Sequence, residues 1–122
     1  MTRVITASLR LLSPVLFLLL VSVPAEAASF DGPWSVTIIT QAGRCDAAYS
    51  FPLNVYRGRV TSASGVSING RVSGGGGVTV SIASGGSGGS ASGRLYATSG
   101  AGRWSGVLGG ERCSGRWEAS RG

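Results

Sequence analysis

The chain has 122 residues, and 21 of them are glycine. Its formal net charge of +6 rests on 11 basic residues, every one of which is arginine. Without histidine or lysine, the chain lacks the usual general bases for a serine or cysteine nucleophile, and it has no imidazole for a metal site. The composition therefore predicts a protein that is not an enzyme and that has no resident cofactor.

Residues 1–27 have the pattern of a secretory signal peptide. Arginines near the start precede a mostly apolar stretch at 11–23, and Ala25-Glu26-Ala27 matches an A-x-A cleavage site. The apolar stretch is shorter than the roughly 17–25 residues of a membrane span, which disfavours the alternative of a membrane anchor. We expect export to the periplasm or beyond of one small domain, 28–122, that has no transmembrane segment.

The mature chain alternates apolar and polar residues with a period of two, which is typical of strands with one buried face. No window shows the period of an amphipathic helix, and glycine at this density opposes helix formation. The pattern predicts eight strands, at 34–39, 49–56, 58–62, 66–72, 78–82, 91–97, 102–108 and 113–119.

A Gly-Arg-apolar triplet recurs five times and predicts a cationic outer face. Because side chains alternate along a strand, the glycine and the apolar residue share the inner face while the arginine points outward. The outward arginines are Arg59, Arg71, Arg94, Arg103 and Arg116. In an exported protein we expect them to contact an anionic envelope component or a protein partner; the alternative is that they only keep the barrel soluble. Nucleic acid is not expected, because no aromatic stacking platform accompanies them.

Glycine also shapes the expected interior. Trp34, Trp104 and Trp117 fall on the inner face, where the neighbouring glycines leave room for them. Because an eight-stranded barrel is just wide enough for side chains to fill, we expect a packed core rather than a ligand cavity. The one low-complexity tract, 84–90, is expected to be a flexible hairpin loop.

Two cysteines, Cys45 and Cys113, are predicted to form a disulfide, because pairing is the default in an oxidising compartment. In an eight-stranded up-and-down arrangement, the first strand ends at the pole where the last begins. Cys45 follows the first strand and Cys113 opens the last, so their pairing is natural if these strands are neighbours in a closed barrel. A two-sheet sandwich is the alternative. We predict an all-β fold, a small eight-stranded antiparallel up-and-down barrel with one disulfide.

Four segments together resemble a group of short exported proteins from Gram-negative bacteria, some of which carry the label exoprotein involved in haem utilisation or adhesion. These segments are Phe30-Asp31-Gly32-Pro33-Trp34-Ser35-Val36, Arg44-Cys45-Asp46, Gly70-Arg71-Val72-Ser73 and Cys113-Ser114-Gly115-Arg116-Trp117-Glu118-Ala119. The shared motifs are structural, so the resemblance implies a family and not an activity. Gly32-Pro33-Trp34 is also similar to the G-x-W of lipocalin-like and avidin-like proteins, which implies a barrel of that outline.

Three functions remain open from the sequence. The leading one is a non-enzymatic binding or structural protein whose arginine face contacts an anionic partner. The second is an inhibitor of a secreted protease, similar in outline to small eight-stranded inhibitors of bacterial metalloproteases; residues 28–31 would then block the active site. The third is a small-ligand carrier, haem included, for which Tyr49, Tyr56 and Tyr96 are the candidate axial ligands.

Overall fold

The computed structural model describes residues 30–62 and 66–122, and the predicted signal peptide lies outside them. The described residues form a closed antiparallel barrel of eight strands in chain order, with no helix among them. This confirms the predicted all-β fold. The strands are β1 (Gly32–Ala42), β2 (Ala48–Tyr56), β3 (Arg59–Ser62), β4 (Ser67–Val72), β5 (Gly77–Ser84), β6 (Ser87–Leu95), β7 (Ser99–Leu108) and β8 (Glu111–Arg121).

Pairing between β1 and β8 closes the barrel, which decides against the two-sheet sandwich. The antiparallel register runs from Trp34 opposite Arg121 to Thr40 opposite Gly115, with an irregularity just beyond Thr40. Each strand therefore has two neighbours, and the sheet has no outermost strand.

The ladder between β3 and β4 is the shortest in the barrel. Among the described residues it has two pairs of partners, Arg59 with Arg71 and Val60 with Gly70, whereas β2 and β3 share four and β7 and β8 share ten. The wall is thus least tied together between these two strands.

The two ends of the barrel differ, and we call them the closed pole and the open pole. The closed pole holds the start of β1, the end of β8 and the turns after β2, β4 and β6. The open pole holds loop 43–47 and the turns after β5 and β7. The predicted disulfide, Cys45–Cys113, is present at the open pole with its Cα atoms 6.2 Å apart, and it ties the loop after β1 to β8.

The closed pole is sealed by residues from both ends of the described chain. Trp34 is 2% exposed and donates from its indole nitrogen to the Phe30 carbonyl, at 2.9 Å. The Arg121 guanidinium lies 5.2 Å from the Trp34 ring centroid and donates to the Asp31 carbonyl. The Asp31 carboxylate accepts from the backbone N–H of Arg57 at 3.0 Å, in a tight turn where Arg57 has φ 52°. These contacts hold Phe30 and Asp31 against the barrel.

Trp117 packs against glycines of β6 and β7, as predicted, and both Trp104 and Trp117 bond their indole N–H groups to the backbone. A Cβ on Gly102 would lie 2.6 Å from the Trp117 Nε1 atom, so a larger residue at this position would displace the indole or the backbone. Trp117 donates from Nε1 to the Ser92 carbonyl at 3.1 Å, and Trp104 donates to the Ile39 carbonyl at 3.0 Å. Each buried indole N–H therefore has a backbone acceptor.

The prediction of a flexible loop at 84–90 is wrong. Only Gly85 and Gly86 lie in the turn, and β6 begins at Ser87. Gly88 and Gly89 are partnered with β5 on one side and with β7 on the other. Because the neighbouring strands satisfy the backbone groups of this tract, it is ordered without needing side chains of its own.

Candidate functional site

A cavity of about 330 Å³ occupies the half of the barrel next to the open pole. Its inner wall is apolar, formed by Ile38, Phe51, Ile68, Ile82, Trp104 and Leu108. A much smaller void of about 60 Å³ lies deeper, among the tightly packed residues near the closed pole. The expectation of a packed core is therefore confirmed for the half near the closed pole and wrong for the half near the open pole.

The cavity exists because the inner face of β6 carries only small residues at this level, and β7 has a glycine between Trp104 and Leu108. Ser87, Gly89 and Ala91 follow one another on the inner face of β6, and Gly106 faces Gly89 from β7. A Cβ on Gly106 would lie 2.6 Å from the Gly88 carbonyl oxygen, so the close approach of the two strands requires glycine here. The glycine-rich tract is thus one wall of the cavity.

Hydroxyl groups ring the mouth of the cavity. Ser84 and Tyr49 are exposed there, and Tyr49 stacks on Phe51 with 6.2 Å between the ring centroids. Ser87 accepts a hydrogen bond from the Gly109 N–H at 3.0 Å, and its own O–H is left to donate. Burial raises the pKa of Tyr49, and the Asp46 carboxylate acts in the same direction. The phenol therefore remains a neutral hydrogen-bonding group.

Among the residues that the structure describes, Tyr49 is the one ionisable group that lines the cavity. Within the described segments, no group of three or more histidine, cysteine or acidic residues is placed to hold a metal ion. Asp46 and Glu111 flank the disulfide cysteines at the open pole but do not face the cavity. The described lining of the site offers apolar contact and a few hydroxyls, which are the features of a small-molecule binding pocket.

The five sequence-predicted arginines all lie exposed on the outer face, away from the cavity. Arg94 donates to the Gly75 carbonyl at 2.8 Å, and Arg116 forms an ion pair with Glu118. Arg59 is directly opposite Arg71, and Arg103 is directly opposite Arg116. The structure thus assembles four of the five into two cross-strand pairs.

The three tyrosines considered as haem ligands are far from equivalent. Tyr49 lines the cavity mouth, whereas Tyr56 and Tyr96 are 63% and 58% exposed near the closed pole. Tyr56 packs beside the Arg57 guanidinium, 5.5 Å from its ring centroid. Tyr49 is thus the one tyrosine of the three that faces the cavity.

No protein-family model, curated protein or solved structure matches this chain. The family suggested by the sequence segments stays a prediction. In the part of the chain that the structure describes, no helix is long and apolar enough to cross a membrane.

Alternation alone identified the inner apolar residues but missed the cavity. The signal was present in the tract itself, since Ser87, Gly89 and Ala91 alternate in register with the strands on either side. Small inner residues along β6, beside a glycine on β7, leave a space that no neighbour fills. Interpreted as a loop, residues 84–90 give no indication that β6 carries too little side-chain volume to fill the interior.

Proposed function

We propose that this protein is an exported, non-enzymatic binding protein that holds a small, neutral and mostly apolar molecule in the cavity at the open pole. The observation that carries the proposal is the cavity itself, with a volume of about 330 Å³ and an apolar inner wall. Eight-stranded barrels have room for one small ligand of this kind when their interior is not filled by side chains.

The volume limits the size of the occupant. A cavity of about 150 Å³ lined by aliphatic and aromatic residues holds benzene, and this cavity is about twice as large. Its volume lies at the lower end of the range of about 300–1,000 Å³ that is typical of ligand pockets. A two-ring aromatic molecule or a medium-length hydrocarbon chain fits these dimensions.

The lining favours a neutral occupant with one polar end. A charged group in an apolar site loses its hydration without gaining a counterion, and no charged side chain in the described part of the chain faces this cavity. The hydroxyls of Ser84, Ser87 and Tyr49 lie at the mouth, where they are placed to bond a hydroxyl or carbonyl group of the ligand. The apolar part of the ligand would then extend inward toward Trp104.

Three further observations support export and carriage. The Cys45–Cys113 disulfide is compatible with an oxidising compartment, and the N-terminal 27 residues have the composition of a secretory signal. The similarity of Gly32-Pro33-Trp34 to lipocalin-like and avidin-like sequences agrees with a ligand carried inside a barrel.

The other functions suggested by the sequence receive less support from the geometry. Haem is much larger than the volume allows, and the raised pKa of Tyr49 opposes the tyrosinate that would bind iron. For the inhibitor interpretation, Phe30 and Asp31 are bonded into the closed pole and do not extend from it. Both interpretations stay predictions.

A fluorescence titration with 1-naphthol, a neutral two-ring aromatic probe with one hydroxyl, tests the proposal. The probe should bind with one-to-one stoichiometry and quench Trp104, which lines the cavity. Ala91→Leu places three additional carbon atoms in the cavity and should weaken probe binding at least tenfold. Ala101→Leu is the matched control, since it makes the same change on the exposed outer face of β7 and should leave the affinity unchanged.

Thermal unfolding of both variants establishes that they are folded under the conditions of the titration. Equal affinity of the two variants for the probe would contradict the proposal, as would an absence of saturable binding to the native protein. A saturable one-to-one haem titration that shifts the Soret band would instead favour the haem interpretation.

A further inference from the structure

The outer face of the barrel carries a continuous row of cationic and hydroxyl side chains. Following direct cross-strand partners from β3 to β8, the row consists of Arg59, Arg71, Thr79, Ser92, Arg103 and Arg116. All six residues are exposed. The row runs obliquely around the barrel, because Arg59 begins β3 at the closed pole while Arg116 lies in the middle of β8.

The row is largely free of compensating negative charge. The described residues include four carboxylates, at Asp31, Asp46, Glu111 and Glu118, and none of them belongs to strands β3 to β7. Glu118 forms an ion pair with Arg116 at one end of the row. The guanidinium groups of Arg59, Arg71 and Arg103 make no hydrogen bond or ion pair with any described residue.

Placing Arg59 directly opposite Arg71 works against stability. Like charges at directly opposed positions of an antiparallel pair are destabilising, and the pair has no acidic neighbour on β3 to β7 to offset it. An anionic group bound between the two guanidinium groups would relieve this repulsion while making charge-assisted hydrogen bonds.

The surface beside the row is recessed. One shallow depression is lined by Arg71, Thr79 and Ser92, and a second by Ser92, Arg103 and Ser114. The two share Ser92, and together they form a shallow trough along the middle of the row, from Arg71 to Arg103. The small side chains between the arginines leave this space open, and their hydroxyls can donate and accept hydrogen bonds.

The length and curvature of the row determine which shape of partner can contact all of it. It crosses five of the eight interstrand steps of the closed barrel, which is more than half of the circumference. With strands about 4.8 Å apart, the path is about 24 Å long. A flat anionic membrane contacts one side of a barrel at a time and cannot reach every arginine of the row. A flexible linear polymer can follow the row around the barrel.

We propose that this row binds a linear acidic polysaccharide laid obliquely around the barrel. The carboxylate groups pair with the arginines, and sugar hydroxyls bond Thr79 and Ser92 between them. No aromatic side chain lies in the row to stack on nucleic-acid bases. This binding is separate from the cavity and does not depend on what the cavity holds.

Binding of oligogalacturonates of increasing length, measured against ionic strength, tests the proposal. Affinity should rise with length and level off once the oligomer spans the path of about 24 Å. Arg71→Ser combined with Arg103→Ser should weaken binding at least tenfold and should reduce the slope of log Kd against log salt by about two. The control combines Arg44→Ser with Arg112→Ser, which removes the same charge at the open pole and should weaken binding less than threefold.

Three results would overturn the proposal. Equal losses in the two double variants would show that only net charge matters. Tighter binding of the native protein to phosphatidylglycerol vesicles, lost in the row variant, would assign the row to a membrane. An absence of oligogalacturonate binding at low salt would exclude the polysaccharide. Circular dichroism of all variants separates any of these results from a failure to fold.

Discussion

Trp104 and Trp117 form a natural pair for testing whether the cavity exists in solution. Both indoles are buried, at 8% and 5% exposure, and both donate one hydrogen bond to a backbone carbonyl at 3.0–3.1 Å. They differ in what surrounds them. Trp104 borders the cavity of about 330 Å³, whereas Trp117 borders only the void of about 60 Å³ and packs against Gly93 and Gly102.

Truncating each tryptophan to alanine should therefore have unequal costs. Replacement of a buried tryptophan by alanine costs about 3–5 kcal/mol, and the cost grows with the cavity that is created. The lost hydrogen bond, about 1 kcal/mol in each case, cancels in the comparison. Trp117→Ala opens a new void in a packed region and should cost about 5 kcal/mol, whereas Trp104→Ala extends an existing space and should cost about 3 kcal/mol.

Urea unfolding of the two variants, followed by circular dichroism with the disulfide intact, measures this difference. A gap of about 2 kcal/mol corresponds to roughly 8–16 °C in Tm for a domain of this size. If Trp104→Ala costs as much as Trp117→Ala, the space beside Trp104 is filled in solution, and the ligand-binding proposal loses its basis. If neither substitution changes the free energy of unfolding, the indoles are not part of the core.

Three further outcomes are expected. Replacing both disulfide cysteines by serine should cost about 4 kcal/mol in urea unfolding, because the bridge closes a loop with a sequence separation of 68; an unchanged midpoint would contradict this. Gly102→Ala places a methyl group against the Ser92 carbonyl oxygen and should lower the Tm strongly, whereas a Cβ on Gly74 meets nothing within 4 Å, so Gly74→Ala should have no effect. Burial and the Asp46 carboxylate raise the pKa of Tyr49, so the folded state retains a proton that the unfolded chain loses. Stability should therefore decline as the pH rises above about 10; Tyr49→Phe should lessen this decline in pH-dependent thermal melts, and an identical decline in the two proteins would refute the assignment.

The alternation of apolar and polar residues was sufficient to predict the strands, because each strand carries its own inward and outward pattern. The closure between β1 and β8 followed from counting strands and from the positions of Cys45 and Cys113, since an even number of strands returns the chain to the same pole. The five outward arginines were identified by the same local rule. Their arrangement into one row was not, because it depends on the register between strands, which the triplets do not encode.

The cavity was missed for a different physical reason. Glycine and serine at 84–90 disfavour regular structure in isolation, and local composition does not show that β5 and β7 satisfy the backbone on both sides. Packing against a neighbour also cannot be judged until the neighbour is known. The volume left beside Gly89 depends on Gly106, which faces it from β7.

The short ladder between β3 and β4 is the place where the barrel wall should open most easily. The free energy of a local opening reflects the backbone hydrogen bonds and apolar contacts that it breaks, and these two strands share only two pairs of partners. Ser62 and Ile68, which flank this join, also line the cavity. Deuterium should therefore replace amide hydrogen here before it does so elsewhere in the described wall. A local opening at this join would also give the proposed ligand a lateral route into the cavity without global unfolding.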